Sequence, residues 1–212
     1  ASIILLSTIA MVGRISGQDG QKQSERPPTT INLAKTSYVS PRSAKLERAI
    51  VAGGCFWGTE YYLRQMNGVV ATAVGYIGGK TDNPTYKEVC YEGTGHAEAV
   101  MVEFDANVVS YSAILDRFWQ IHNPCTWNRQ GPDIGSQYRS AIFYLNDEQK
   151  SIAEKSKKDA QKLFRRPIVT MIEKAPRFWM AEEYHQQYAE KTGKTSCPID
   201  RSDHKDGSSQ QI

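Results

Sequence analysis

The sequence predicts an α/β (α+β) fold, a single two-layer domain with helices packed on a mixed sheet. Two observations carry that expectation. Short apolar, β-branched runs alternate with longer segments of helical periodicity between residues 48 and 197, as they do when crossover helices join the strands of a sheet. The 212 residues are 40% hydrophobic and 23% charged and no segment repeats, so one core of ordinary composition is the economical reading.

Taken in order, Ala49–Ala52 is a short strand that stops at Gly53-Gly54. Trp57, Tyr61 and Met66 lie on a helical pattern for which Gly68 is the expected stop. Val69–Tyr76 is apolar and β-branched, a strand, and a loop with Gly78, Gly79 and Pro84 follows it. His96–Phe104 alternates, with Glu98, Val100, Val102 and Phe104 on one face and Ala97, Ala99 and Met101 on the other. Ser110 caps a helix that turns Ile114, Leu115, Phe118 and Ile121 inward. Tyr138–Leu145 reads as a strand, Asn146 or Asp147 as the cap of a lysine-rich helix running to Phe164, and Pro167–Ile172 as a further strand.

The ends differ from this middle. Residues 3–12 form an uncharged apolar run, too short for a membrane-spanning helix but the length of a signal-peptide core, which makes residues 1–18 a targeting-like segment and export the favoured expectation over a cytoplasmic or organellar site. Residues 19–47 are polar, with Pro27, Pro28 and Pro41, and read as a linker; residues 198–212 read as a flexible tail. The net charge is +3, and residues 13–47 carry all of it. A balanced folded part excludes a domain built as a basic nucleic-acid surface, and four scattered cysteines exclude a disulfide-dense miniprotein.

The chemistry concentrates in Gly53-Gly54-Cys55-Phe56-Trp57-Gly58, between a strand and a helix start. A cysteine there meets unpaired backbone N–H groups and the positive end of the helix dipole, both of which favour thiolate. Phe56 and Trp57 suit the wall of an apolar pocket, since a thioether or methyl group packs well on aromatic rings. The bland alternative is a structural cysteine in a tight turn. Glu98 shares the face of its strand that is expected to be buried, where a carboxyl loses its charged form and becomes a proton donor near neutral pH; a solvated strand end is the competing reading. Tyr86 and Tyr138 offer phenol O–H groups for a polar oxygen, though most tyrosines only pack. Asp133 is equally well explained as a turn residue. Cys90 follows Val89 in an apolar context that suits a buried thiol, Cys125 stands undecided beside Pro124 and Trp127, and Cys197 lies in a hydrophilic segment mobile enough to reach an active site, where a second thiol can condense with a sulfenic acid. None makes a Cys-x-x-Cys pair.

Two partial motifs fail. Gly78-Gly79-Lys80-Thr81 resembles a phosphate loop, but position 74 is Val where glycine is required. His96-x-Glu98 with Pro124-Cys125 resembles a zinc deaminase signature, but Asn128 stands where the second cysteine ligand belongs.

From about Arg48 to Cys197 the chain resembles the peptide-methionine (S)-S-oxide reductases, methionine sulfoxide reductase A. The resemblance rests on Gly-Cys-Phe-Trp-Gly at 54–58, Gly-Tyr-x-Gly-Gly at 75–79, Pro-Thr-Tyr-x-Glu-Val-Cys at 84–90 and Gly-His-Ala-Glu-Ala at 95–99. It continues in Asn-Arg-Gln-Gly-Pro-Asp at 128–133, Gln-Tyr-Arg-Ser at 137–140 and His-Gln-Gln-Tyr at 185–188. It implies a catalytic domain over 48–197 with a ferredoxin-like core. It also implies Cys55 as the nucleophile on the sulfoxide sulfur and Glu98 as the acid on its oxygen. Tyr86 and Tyr138 would bond that oxygen, Phe56 and Trp57 would hold the substrate methyl, and Asp133 would stand near the pocket. Cys197 takes the place of the recycling cysteine, without the glycine-rich surroundings common in the family, and Cys125 is the alternative. The family needs no bound cofactor; thioredoxin, or dithiothreitol in vitro, is the reductant, and oxidised proteins or free methionine sulfoxide the substrate. A monomer without nucleic-acid or membrane partners is expected. Two competing readings are a Cys-His thiol hydrolase pairing Cys55 with His96 or His185, and a methionine-binding relative that has lost recycling.

Overall fold

The computed structural model describes residues 30–194 and 199–205, so the apolar run at 3–12 and Cys197 lie outside the described residues. Strands β1 (Ala34–Lys35), β2 (Leu46–Gly53), β3 (Val69–Ile77) and β4 (Ala97–Asp105) precede the small hairpin β5 (Arg129–Gln130) and β6 (Asp133–Ile134), then β7 (Ser140–Tyr144), β8 (Met171–Lys174) and β9 (Trp179–Met180). Helices α1 (Phe56–Arg64), α2 (Tyr86–Tyr91), α3 (Tyr111–Gln120), α4 (Asp147–Ala160) and α5 (Tyr188–Thr192) run between and after them.

The main sheet has the order β1-β3-β4-β2-β7-β8, with β9 also on β3. Every pair is antiparallel except β7–β8. The run β2–α1–β3–β4–α3–β7 is a β-α-β-β-α-β unit in which β4 is inserted between β2 and β3, the ferredoxin-like arrangement. Helices cover one face. Val100, Val102 and Phe104 of β4 meet Leu63 of α1, Ile114 and Phe118 of α3 and Ala153 of α4 in one core cluster. The other face of β4, Ala97, Ala99 and Met101, is equally buried, against Ile50, Phe143, Phe178 and Met180. Among the described residues no helix is long and apolar enough to cross a membrane.

Local chemistry sets the element ends. The Ser110 hydroxyl accepts from the Ala113 amide at 3.2 Å to start α3, and Asn146 accepts from the Gln149 amide at 2.9 Å to start α4. Three expectations need correction. The loop after β3 contains α2, because Thr85 and Glu88 form a capping box that stabilises so short a helix: the Glu88 carboxylate accepts from the Thr85 amide at 2.6 Å. Strand β8 starts at Met171 rather than Pro167, since the Ile168 amide donates to Gln161 and the Val169 amide to the Pro124 carbonyl, outside any strand ladder. Tyr138 lies in a 3₁₀ turn at Ser136–Tyr138 just before β7.

The polar flanks also take part in the fold. Residues Ala34–Lys35, within the expected linker, pair with β3, and the buried Arg64 guanidinium donates to the carbonyls of Ala34 and Lys35 at 3.0 and 2.9 Å. Residues 199–205, within the expected loose tail, are seated on the domain by Asn123, Arg166 and the backbone of residues 163–165.

Candidate active site

The strand-to-helix turn after β2 places a cysteine. Gly53 ends β2 in register with Ser140 of β7, and Gly54 turns the chain with φ +91°. A side chain at Gly54 would put its Cβ 2.5 Å from Cγ of Gln130, so glycine is needed both for the left-handed backbone and for that close packing. Cys55 follows as the N-cap residue of α1, half-buried, and its carbonyl accepts from the Thr59 amide at 3.3 Å and the Thr59 hydroxyl at 3.2 Å.

Glu98, second residue of β4, is 1% exposed. Its Oε2 accepts from the Phe56 amide, the first N–H of α1, at 3.1 Å. Burial holds its carboxyl well above the ordinary range, and the nearby negative charge of a Cys55 thiolate and of Asp133 pushes the same way; only the Phe56 amide opposes. A carboxyl so placed keeps its proton at a pH where exposed carboxyls have lost theirs. The alternative of a solvated strand end is thereby removed.

Tyr86 opens α2 and Tyr138 ends its 3₁₀ turn, and both are half-buried. Burial first, then the Glu98 charge, raises both phenols, so both remain O–H donors at physiological pH. The Tyr86 amide donates to Oε1 of Glu182 at 2.8 Å and the Tyr76 hydroxyl to Oε2 at 2.8 Å, so one buried carboxylate ties α2 to β3. Asp133, at the start of β6, is half-buried, and burial raises its carboxyl.

Aromatic rings line the other side of the nucleophile turn. Phe56 is 1% exposed, its ring 6.0 Å from that of Tyr76. The half-buried Trp57 stacks on Tyr188 with centroids 3.7 Å apart, and its indole N–H donates to Nδ1 of His185 at 3.0 Å. Burial pushes His185 down to about 4, which leaves the neutral imidazole that this hydrogen bond requires. His96 has both ring nitrogens engaged, Nδ1 accepting from the Gly79 amide at 3.2 Å and Nε2 donating to the Thr81 carbonyl at 2.9 Å. Its task is to hold the glycine loop, so the Cys-His hydrolase pairing loses that partner; of His185, Nδ1 is engaged by Trp57 while the buried Nε2 has no hydrogen-bond partner among the described residues.

Of the residues singled out from sequence, the turn, sheet and hairpin bring Cys55, Glu98, Tyr86, Tyr138, Phe56, Trp57 and Asp133 to one end of the sheet. Sequence reasoning missed the supports. Glu182 and Tyr188 stand three residues before and after His185, a spacing that is visible in the sequence but carries no meaning without the fold. Cys90, expected to be buried, is half-buried on α2 beside Tyr86, where burial raises its thiol. Cys125 is buried, its thiol donates to the Arg166 carbonyl at 3.3 Å, and burial pushes it up to about 11.

An α/β domain that sets a half-buried cysteine at a helix N-terminus near a buried carboxyl whose proton burial favours has the parts of a cysteine-centred enzyme. A family model described as peptide methionine sulfoxide reductase matches residues 47–212. The peptide methionine sulfoxide reductase MsrA of Methanosarcina acetivorans is 53% identical over 177 residues, covering 82% of this chain and 94% of that one. MsrA of Methanoculleus marisnigri is 58% identical over 154 residues, 72% of this chain and 94% of its own. Among solved structures, reduced Mxr1 from Saccharomyces cerevisiae superposes with a TM-score of 0.68 at 37% identity, covering 74% of this chain and 92% of that one. Methionine sulfoxide reductase A of Corynebacterium diphtheriae gives 0.66 at 32% identity, covering 84% and 92%. The chain belongs to the peptide methionine sulfoxide reductase A family and is a peptide-methionine (S)-S-oxide reductase.

Proposed function

We propose that this chain reduces methionine-S-sulfoxide, free or in oxidised proteins, in two thiol steps centred on Cys55. In the first, the Cys55 sulfur attacks the electron-poor sulfoxide sulfur while Glu98 delivers its proton to the sulfoxide oxygen. The S–O bond breaks, methionine leaves with its sulfur reduced, and the oxygen passes to Cys55 as a sulfenic acid. Tyr86 and Tyr138 donate hydrogen bonds to the oxygen, Phe56 and Trp57 pack on the methyl group, and Asp133 completes the pocket rim. The single observation that carries this reading is the buried Glu98 carboxyl, bonded to the amide beside Cys55, where burial favours the protonated form.

In the second step a recycling thiol condenses with the sulfenic acid, forming a disulfide and releasing water, and an external dithiol such as thioredoxin returns the disulfide to two thiols. Two facts favour Cys197 over Cys125. Ile199 lines a narrow cleft together with Cys55, and Cys197 stands two positions before it with only Pro198 between, a Cα span of at most about 7 Å. Cys125 has its thiol spent on the Arg166 carbonyl and raised to about 11, which leaves little thiolate at neutral pH.

The test offers each methionine sulfoxide epimer with dithiothreitol, with Cys55→Ser as control. Reduction of the S epimer by the wild type alone is expected; activity on the R epimer only, or undiminished activity in the variant, refutes the reading. Cys197→Ser keeps dithiothreitol-driven turnover and loses thioredoxin-driven turnover, whereas unchanged thioredoxin turnover moves the recycling role elsewhere.

A further inference from the structure

Residues 199–205 are bound more firmly than their composition suggests. The Asp203 carboxylate receives both Nε (2.6 Å) and an Nη of Arg166, and its backbone carbonyl accepts from the Arg165 amide at 2.8 Å. The Lys205 amide donates to the Leu163 carbonyl at 2.9 Å, and the His204 ring packs edge-on against Phe164. The Asn123 amide nitrogen, fully buried, lies 2.8 Å from Asp203 and 3.2 Å from Asp200.

Asn123 does not stop at the tail. Its backbone N–H donates to the Gln130 side chain at 2.9 Å, and its carbonyl accepts from that same side chain at 3.1 Å. Gln130 is the residue packed against Gly54, next to the nucleophile. One connected path therefore runs from the Cys55 turn through Gln130 and Asn123 to Asp203 and Arg166. Sequence separation explains why nothing local hints at it: its members span residues 54 to 203.

We propose that this Arg166–Asp203–Asn123 clasp is the positioning element of the recycling half-reaction: it fixes residues 199–205 to the body that carries Cys55, and thereby sets the effective concentration of the tail thiol at the sulfenic acid. Arg166 and Asp203 act through the chain they anchor and do not touch the reacting sulfurs. The inference rests on the reading of Cys197 as the recycling thiol. The condensation it assists is balanced without an outside redox agent: the Cys197 S–H and the Cys55 S–OH become S–S and water. A tethered partner reacts at an effective concentration set by its tether, and loosening the anchor lowers that concentration without changing either group's chemistry.

The test compares wild type, Arg166→Ala, Asp203→Asn and the charge swap Arg166→Asp with Asp203→Arg. Each is mixed with one equivalent of methionine-S-sulfoxide; methionine release, disulfide formation and the sulfenic acid trapped by dimedone are then followed separately. In Arg166→Ala and Asp203→Asn, methionine release and dithiothreitol-driven turnover stay at wild-type values. Disulfide formation slows about tenfold, dimedone-trapped Cys55 rises, and the charge swap recovers most of the rate. Disulfide formation at the wild-type rate in both single variants overturns the clasp while leaving the Cys197 reading intact. Absence of a Cys55–Cys197 disulfide in the wild type overturns that reading and the clasp with it. Arg166 is exposed at its outer side, so its truncation is tolerable to the fold, and retained dithiothreitol turnover certifies that each variant is folded.

Discussion

Replacing Glu98 by Gln should move activity and stability in opposite directions, and the structure gives the size and sign of each. The carboxyl is 1% exposed and accepts a hydrogen bond from the Phe56 amide. Gln preserves the shape and an oxygen to accept that bond, but it has no acidic proton to deliver. Loss of a general acid costs about 10²–10⁴ in rate, or roughly 3–5 kcal/mol of transition-state stabilisation. For stability, the folded state holds the Glu98 proton more tightly than the unfolded chain does, since burial raises the carboxyl. Between the unfolded carboxyl pKa of about 4.3 and the raised folded value, the native state binds more protons, so wild-type stability falls as pH rises through that window. Gln carries no such dependence. Thermal melts of both proteins across the window, with methionine release measured by single turnover, are the assay. The variant should lose methionine release by at least about a hundredfold while its melting temperature gains on the wild type as pH rises. A melting-temperature gap that is flat with pH, or methionine release within a few-fold of wild type, would refute the argument that a buried neutral carboxyl is the acid.

Other expectations follow from single contacts. Gly54→Ala forces an L side chain into φ +91° and a Cβ to 2.5 Å from Gln130, which should cost at least about 2 kcal/mol in denaturant unfolding and slow both half-reactions together. Trp57→Phe removes the indole N–H that meets His185 at 3.0 Å and most of the stack on Tyr188; it should raise KM for methionine sulfoxide more than it lowers kcat. Arg64→Met strips a buried guanidinium from the carbonyls of Ala34 and Lys35 and from Glu190, and should lower stability by about 2–4 kcal/mol, with faster proteolysis around residue 35. Cys125→Ser should leave thioredoxin-driven turnover unchanged, as measured by coupled reductant oxidation, since that thiol is occupied and raised to about 11.

What the sequence reveals here is what short-range physics governs. The alternation in β4, the Ser110 and Asn146 caps and the glycine turn before Cys55 are all local, and each appears where the pattern puts it. Glu98 was legible as a buried acid because a two-residue period assigns it to the same face as Val100 and Val102. The insertion of β4 between β2 and β3 was not, because strand order depends on contacts 20 to 59 residues apart that no window contains. The two-residue strands β1 and β9 carry no period at all, and α2 exists only through its capping box. Composition misled at both flanks. A polar segment reads as unable to bury apolar area, yet residues 34–35 and 199–205 are held by hydrogen bonds to Arg64, Arg166 and Asn123, groups whose positions the rest of the fold determines.

On the proposed mechanism, the position of Cys55 lets one sulfur serve two reactions without one arrangement spoiling the other. A residue at the N-cap belongs to the turn and to the helix at once. On one side the Phe56 amide next to it meets buried Glu98; on the other Cys55 lines a narrow cleft with Gly53, Gln130 and Ile199. On the proposed mechanism the acid, Glu98, is buried on the first side, while Ile199, two positions after the proposed recycling thiol, lines the cleft on the other. If both partners approached from one side, the tail would have to leave each time substrate entered, and sulfoxide would compete with recycling. With the sides separate, excess methionine sulfoxide should not slow disulfide formation on a sulfenic acid already made. A double-mixing experiment, substrate first at one equivalent and then in large excess, reads that rate directly; inhibition by the second addition would place both partners on the same side of the sulfur.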